Sequence, residues 1–221
     1  MPALSLSAYR AAIFDLDGTL VLSEPAWELA KRRIMDDLGV TVPQETYDAF
    51  VGRGLRGFLA QVIGPDLDLA TRDDLSRRIG AEADALLPQM RQVVPGAAEM
   101  ILRLAAAGLR VAICSSSPRR HILAAIAQLQ VGDHIAAIVS GADLPRGKPD
   151  PLPYLETLRL LELPAARAFA VEDALPGIRS ARDAGLQVIG IGPESSRPEF
   201  LAACRLCVAD YQDFARAFDW G

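Results

Sequence analysis

The sequence predicts an α/β protein: a parallel sheet wrapped by helices, with a helical domain inserted after the first strand. Three observations predict it. Ala11 to Phe14 is a short apolar run, the kind that forms a strand buried on both faces of a parallel sheet. From Glu24 to Gln92 no strand pattern appears, only helical segments. From residue 93 onward, apolar runs of strand length alternate with helical stretches, which argues for a sheet covered on both faces. The expected division is a Rossmann-like core of residues 1–22 and 93–221, and a helical domain of residues 23–92.

At 221 residues the chain can bury one large core, or a core plus a small second domain. Hydrophobic residues make up 51% and charged residues 23%, the balance of a soluble globular chain. No apolar run approaches the roughly 18 residues needed to cross a bilayer. Met1 to Arg10 lacks a basic region followed by an apolar one, so no signal peptide is expected. The formal charge is −5 with no basic block, which disfavours nucleic acid and anionic membranes as partners. Three cysteines do not make a disulfide framework, and a cytoplasmic setting fits. Cys114 ends an apolar strand and reads as packing. Cys204 and Cys207 form a lone Cys-x-x-Cys, read as two ordinary small residues, with zinc or redox use as the alternative.

The elements follow in order. Pro25 to Leu38 is expected to be helical, with Pro in the first turn, apolar positions at Trp27, Ala30, Ile34 and Leu38, and Gly39 as terminator. Further helices are expected near Thr46–Phe50, Leu55–Ile63 and Arg72–Leu87, with Gly52, Gly54 and Gly57 between the first two. Beyond Val93 come a helix from Ala97 to Ala107 closed by Gly108, a strand Leu109–Cys114 and a helix Pro118–Leu129. Then follow a strand Ile135–Val139, a helix Pro151–Leu161, a strand Ala168–Val171, a helix Pro176–Ala184 and a strand Gln187–Ile191. Segments at Pro198–Cys204, Leu206–Ala209 and Asp213–Trp220 complete the sheet and its cover.

Chemistry-bearing residues collect at the ends of the expected strands. In an extended segment residues i and i+2 point the same way, so Asp15 and Asp17 aim at one spot while Leu16 turns to the core. Ser115-Ser116-Ser117-Pro118 places hydroxyls at a helix start, with Pro118 suited to the first helical position and the serine before it to the N-cap. Such an N-terminus also binds phosphate. Only two of 23 basic residues are lysine, Lys31 and Lys148. A lysine retained in so arginine-rich a chain marks a place for a compact point charge. Pro149 restricts Lys148 to an extended conformation. Glu172-Asp173 ends the strand Ala168–Val171, either as acids at the start of the next helix or as partners of a cation.

The stretch Asp15-Leu16-Asp17-Gly18-Thr19 after an apolar strand resembles the nucleophile motif of the haloacid dehalogenase-like (HAD) phosphohydrolases. Ser115, Lys148 and Asp173 match that family's other three motifs in the same order, and the inserted helices match its C1 cap. The resemblance implies an aspartyl-phosphate mechanism with Asp15 as nucleophile and Asp17 as general acid and base. It assigns phosphate contacts to Ser115, the Ser116 backbone N–H and Lys148. It places Mg²⁺ on the Asp15 carboxylate, the Asp17 backbone carbonyl and Asp173, with Glu172 as a ligand or supporting partner. Thr19 is expected to orient the loop. Leu22 departs from the family pattern, which usually has Asp there; this bears on the hinge rather than on the chemistry. His121 and His134 match no catalytic position and are assigned to helix or loop surface.

Within the family, the stretch from Asp17 to Trp27, the Cys114-to-Pro118 segment and Val171-Glu172-Asp173 look most like the sugar- and polyol-phosphate phosphatases of the hexitol phosphatase group, with β-phosphoglucomutase as the rival. The mutases carry a histidine where this chain has Trp27. Substrate choice is expected from the inserted domain, through Trp27 and through Arg53 or Arg56, whose alternatives are core packing and a solvated basic turn. The expected partner is a small-molecule phosphate ester, and the chain is expected to be a monomer or weak homodimer. A catalytically inactive binding or regulatory module is the remaining alternative. Such a module would normally have lost one of Asp15, Asp17, Lys148 or Asp173.

Overall fold

The computed structural model describes residues 4–50 and 54–220. They form two compact units. One runs up to Val21 and resumes at Val93; the other spans Leu22–Gln92.

The first unit is built on six strands: β1 (Ala11–Phe14), β2 (Arg110–Ser115), β3 (Ile135–Ser140), β4 (Ala168–Glu172), β5 (Gln187–Ile191) and β6 (Leu206–Val208). Their order across the sheet is β3-β2-β1-β4-β5-β6 and every neighbour is parallel. This is the Rossmann order, in which the chain reverses direction across the sheet after its third strand. The reversal puts β4 directly beside β1, with Phe14 opposite Val171. The ligand crevice of such sheets lies beyond the carboxyl ends of strands at that reversal.

Side chains alternate across the pleat, and both faces are apolar. One face carries Ala12, Phe14, Val111, Ile113, Phe169 and Val171. It packs under α5 (Ala97–Ala106), α6 (Arg119–Leu129) and α10 (Tyr211–Ala217). The other carries Ala11, Ile13, Ala112, Cys114, Ala168 and Ala170 under α7 (Leu152–Leu160), α8 (Leu175–Asp183) and α9 (Pro198–Ala203). β1 is buried at all four positions, which is why it reads as a continuous apolar run rather than an alternating one.

The second unit is helical: α1 (Glu24–Asp37), α2 (Gln44–Ala49), α3 (Leu55–Val62) and α4 (Leu69–Met90). Its core joins Ala30, Ile34 and Met35 of α1 to Tyr47, Phe58 and Leu59, and to Leu75, Ile79 and Ala83 of α4. Spacing of four along α4 keeps those side chains on one face. α4 begins earlier than the apolar pattern indicates, because the Asp68 carboxylate caps it by accepting from the Thr71 N–H at 3.0 Å. It also runs on through Pro88 to Met90. The strand segments Val21–Leu22 and Gln92–Val93 pair as a two-stranded ribbon where the chain passes between units.

Two sequence expectations are corrected. His121 is not on the surface: it lies on the inner side of α6 and is buried. Pro118, not Ser117, occupies the N-cap of α6, with extended backbone (φ −55°, ψ 143°) and no side-chain cap. His134 is exposed, as expected. No helix among the described residues is long and apolar enough to cross a membrane.

Candidate active site

Four strand ends converge. Asp15 follows β1 and is held by its own N–H, which donates to the Val171 carbonyl at 3.0 Å. Leu16 turns inward and is buried. The chain then doubles back: the Gly18 N–H donates to the Val21 carbonyl at 2.7 Å, and the Leu20 N–H to the Leu16 carbonyl at 2.8 Å. Gly18 sits at φ +91°, in the left-handed region that favours glycine. Space demands glycine as well, since a Cβ there would stand 1.9 Å from Asp173 Oδ2. The loop thus closes onto the acid at the end of β4. Thr19 donates from Oγ1 to Asp173 Oδ1 at 3.2 Å, while its carbonyl accepts from the Tyr211 hydroxyl at 2.9 Å.

Lys148 is the cation of this cluster. Its buried ammonium donates to Asp15 Oδ1 at 2.5 Å, Glu172 Oε1 at 2.6 Å and the Cys114 carbonyl at 2.8 Å. An ammonium has three N–H donors, so all three are spent. Glu172 Oε1 also accepts from the Tyr154 hydroxyl at 2.6 Å, and the Tyr154 ring centre lies 5.0 Å from the Lys148 nitrogen. Tyr154 is fully buried under the sheet, within the segment whose sequence indicates only a helix, Pro151–Leu161. The signal was available in its phenol, which needs a hydrogen-bond partner when buried.

Asp17 is half-buried and points to the end of β2. Its Oδ2 accepts from Ser117 Oγ at 2.7 Å and from Ser115 Oγ at 3.4 Å. Ser115 is buried and its Oγ accepts from the Ser117 N–H at 3.0 Å, whereas Ser116 is exposed. The structure therefore brings together Asp15, Asp17, Ser115, Ser116, Lys148, Glu172 and Asp173. Ser117 joins them and was not anticipated beyond a capping role. The remaining candidates belong to the helical unit. Trp27 is half-buried against the core of that unit and Arg56 is exposed on α3. Arg53 lies outside the described residues.

The charges do not balance. Four carboxyl groups, Asp15, Asp17, Glu172 and Asp173, face one ammonium. Burial pushes the Asp15 carboxyl well above the usual carboxylate range; Lys148 opposes this, while Glu172, Asp173 and Asp17 reinforce it. Asp173 is pushed up to about 7, first by burial and then by Glu172, against the Thr19 hydrogen bond. For Lys148 burial works against the charge, but Asp15 and Glu172 outweigh it and hold the ammonium above its ordinary range. A carboxylate oxygen from each of Asp15, Glu172 and Asp173 lies within 4.8 Å of the others. Hard oxygen donors in surplus negative charge are the donor set of a magnesium-type divalent cation, so these residues fit one.

A family model described as haloacid dehalogenase-like hydrolase matches residues 9–185. A phosphoglycolate phosphatase from Rhodospirillum rubrum is 34% identical, over 96% of this chain and 90% of that protein. Hexitol phosphatase B of Escherichia coli K12 is 28% identical, over 87% of this chain and 89% of that protein. Among solved structures, CbbY from Rhodobacter sphaeroides in complex with phosphate superposes with a TM-score of 0.80 at 26% identity, covering 93% of this chain and 96% of that one. Matched from the strand that presents Asp15 to the helix beyond Asp173, the chain belongs to the haloacid dehalogenase-like hydrolases.

Proposed function

We propose that the chain is a Mg²⁺-dependent phosphatase that hydrolyses small phosphomonoesters, sugar or polyol phosphates above all, through an aspartyl-phosphate on Asp15. The observation that carries this reading is the Asp15–Lys148 pair at 2.5 Å, set among hydroxyls and acids at the strand ends. A buried carboxylate needs a fixed cation to stay ionised beside an incoming anion, and Lys148 has no freedom to leave.

In this reading an Asp15 oxygen forms a bond to phosphorus as the bond to the leaving oxygen breaks. Asp17 gives that oxygen its proton, then takes one from the water that attacks the aspartyl-phosphate, which frees phosphate and restores Asp15. The Ser115 hydroxyl and the Ser116 N–H hold phosphoryl oxygens, and Lys148 offsets their charge. Asp15, the Asp17 carbonyl, Asp173 and Glu172 would hold the divalent cation. When bound, it supplies positive charge that screens an anionic nucleophile from an anionic phosphate. Substrate choice falls to the helical unit, with Trp27 and Arg56 as its candidates. A reducing, cytoplasmic setting belongs to the same reading and is supported by three free thiols.

A second reading of the substrate has its own support. The phosphoglycolate phosphatase relative spans 96% of this chain at the higher identity, which favours 2-phosphoglycolate. The mutase alternative is disfavoured by Trp27, because an indole has one N–H donor and no proton to exchange at neutral pH. One experiment separates these. The purified protein with Mg²⁺ is given hexose phosphates, polyol phosphates, 2-phosphoglycolate, and β-glucose 1-phosphate with a trace of the 1,6-bisphosphate. Phosphate release is expected, with a loss of about 10³-fold or more in Asp15→Asn. Glucose 6-phosphate in excess of free phosphate would establish the mutase. No turnover of any ester would establish a binding module.

A further inference from the structure

A buried hydroxyl stands behind the Asp15–Lys148 pair. Tyr154 is fully buried on α7, and its Oη donates to Glu172 Oε1 at 2.6 Å. The same oxygen accepts from Lys148 at 2.6 Å, and Lys148 donates onward to Asp15 Oδ1 at 2.5 Å. Short hydrogen bonds thus run in a row from α7 through the end of β4 to the end of β1. The Tyr154 ring backs the row as well, its centre 5.0 Å from the Lys148 nitrogen. The anchors of Lys148 differ in stiffness. The Cys114 carbonyl is backbone within the sheet, and Asp15 is the reacting group. Glu172 is a long side chain whose bonds rotate unless something fixes them. The Tyr154 hydroxyl fixes it on one side. The first turn of α8 closes the other, where a Cβ on Gly177 would stand 2.0–2.1 Å from the carboxyl group.

We propose that Tyr154 is a positioning residue: through Glu172 it keeps the Lys148 ammonium on Asp15 while a phosphate group enters the site. The inference rests on the reading of Asp15 as nucleophile and Lys148 as its cation. A dianionic ester pulls on the ammonium more strongly than a single carboxylate does, and a lysine stem is flexible. A second carboxylate that is itself held resists that pull and keeps the charge where the nucleophile needs it. Removing the hydroxyl frees Glu172 to turn and lets the ammonium follow the phosphate. The ester then binds as well as before, but Asp15 loses its fixed cation. The signature is a fall in kcat without a rise in KM. A phenol that only filled its space and satisfied its own polar atom would cost stability when changed and nothing else.

The test has a kinetic arm and a spectroscopic one. With p-nitrophenyl phosphate, and Mg²⁺ raised until the rate no longer depends on it, Tyr154→Phe is expected to lower kcat about tenfold and to leave KM within about twofold. The spectroscopic arm uses the scarcity of lysine: Lys31 and Lys148 are the only two in the chain, so isotope-labelled lysine gives one side-chain nitrogen signal from each. Lys31→Arg removes one signal and assigns the other. The Lys148 N–H protons, buried and all bonded, should exchange slowly with water in the native protein, and about tenfold or more faster in Tyr154→Phe. Thr157→Val is the control. It removes another fully buried hydroxyl of α7, which donates to the Pro153 carbonyl at 2.8 Å, and should leave both kcat and the Lys148 signal unchanged. An unchanged kcat, a raised KM, or equal Lys148 exchange in Tyr154→Phe and the control overturns the proposal. A native Lys148 signal already in fast exchange overturns it without any variant. If the native protein turns over no ester, the phosphatase reading falls and the catalytic half of the proposal with it; the lysine signals decide separately whether Tyr154 holds Lys148.

Discussion

At the scale of single residues, the structure sorts the cysteines by environment. Cys114 is buried between the sheet and α7, where burial pushes its thiol up to about 12. Cys204 and Cys207 flank Gly190, whose missing side chain leaves room for both sulfurs: a Cβ there would stand 3.0 Å from one and 3.4 Å from the other. Burial first, and then Cys207, push Cys204 up to about 12 as well, and burial raises Cys207. The thiolate is the nucleophile, so a raised pKa means less of it at any given pH. At pH 8 a thiol titrating near 12 is ionised about a thousandfold less than an ordinary one titrating near 8.5. Iodoacetamide should therefore label Cys204 in the folded protein roughly a thousandfold more slowly than in urea, with the folded rate still climbing above pH 9. Peptide mass spectrometry reads the rates. Equal labelling in the two states would show a reactive dithiol and revive redox or zinc use of the Cys-x-x-Cys.

At the scale of elements, the start of α8 is shaped around an acid from the strand before it. Gly177 lies in the first turn, and a Cβ on it would meet the Glu172 carboxyl group at 2.0–2.1 Å. That carboxyl cannot swing aside cheaply, because Lys148 and Tyr154 both hold its Oε1. Gly177→Ala should push Glu172 out of reach of Lys148. The expected cost is about 1–3 kcal/mol for the forced contact, with a loss of turnover beyond what that destabilisation explains. Urea unfolding and kcat measure the two parts. Gly132→Ala serves as control, since its Cβ would meet only Ile126 Cγ2 at an ordinary 3.7 Å. A Gly177→Ala protein as stable and active as that control would show that the helix start adjusts freely.

At the scale of the whole molecule, the sheet and its motif-bearing ends were legible because each signal is local. β1 announces itself by four consecutive apolar residues, and Asp15, Ser115, Lys148 and Asp173 each follow a strand or turn readable from its own neighbourhood. What was not legible depends on pairing across the chain. Ser117 looked like a helix cap until β1 was set beside β2, 100 residues away in sequence from Asp17. The role of Tyr154 emerges only when α7 is laid under β4, and His121, which matches no catalytic position and was assigned to the surface, is buried by the packing of α6. The charge imbalance is likewise a property of the assembled ends: one ammonium faces carboxyl groups from two other segments, 15–17 and 172–173. Its consequence for metal removal can be given a sign. Asp173 is raised from 3.8 to about 7 in the folded, metal-free protein, so the folded state prefers the protonated acid. Between about pH 4 and 7 the unfolded chain ionises first, and this group's contribution to stability falls as pH rises through that window, then levels above 7. A bound divalent cation reverses the preference, because it takes the ionised form. EDTA should abolish turnover and Mg²⁺ restore it. Independently of turnover, Mg²⁺ at about a hundred times its dissociation constant should stabilise the protein at pH 8 by roughly 2.7 kcal/mol. That corresponds to a rise in melting temperature on the order of 5–10 °C for a chain of this size. At pH 5, where a proton occupies Asp173, the rise should be much smaller, and in Asp173→Asn it should be small at both pH values. Melting curves with and without Mg²⁺ at the two pH values decide it: equal shifts, or none at pH 8, would remove the cation from these acids.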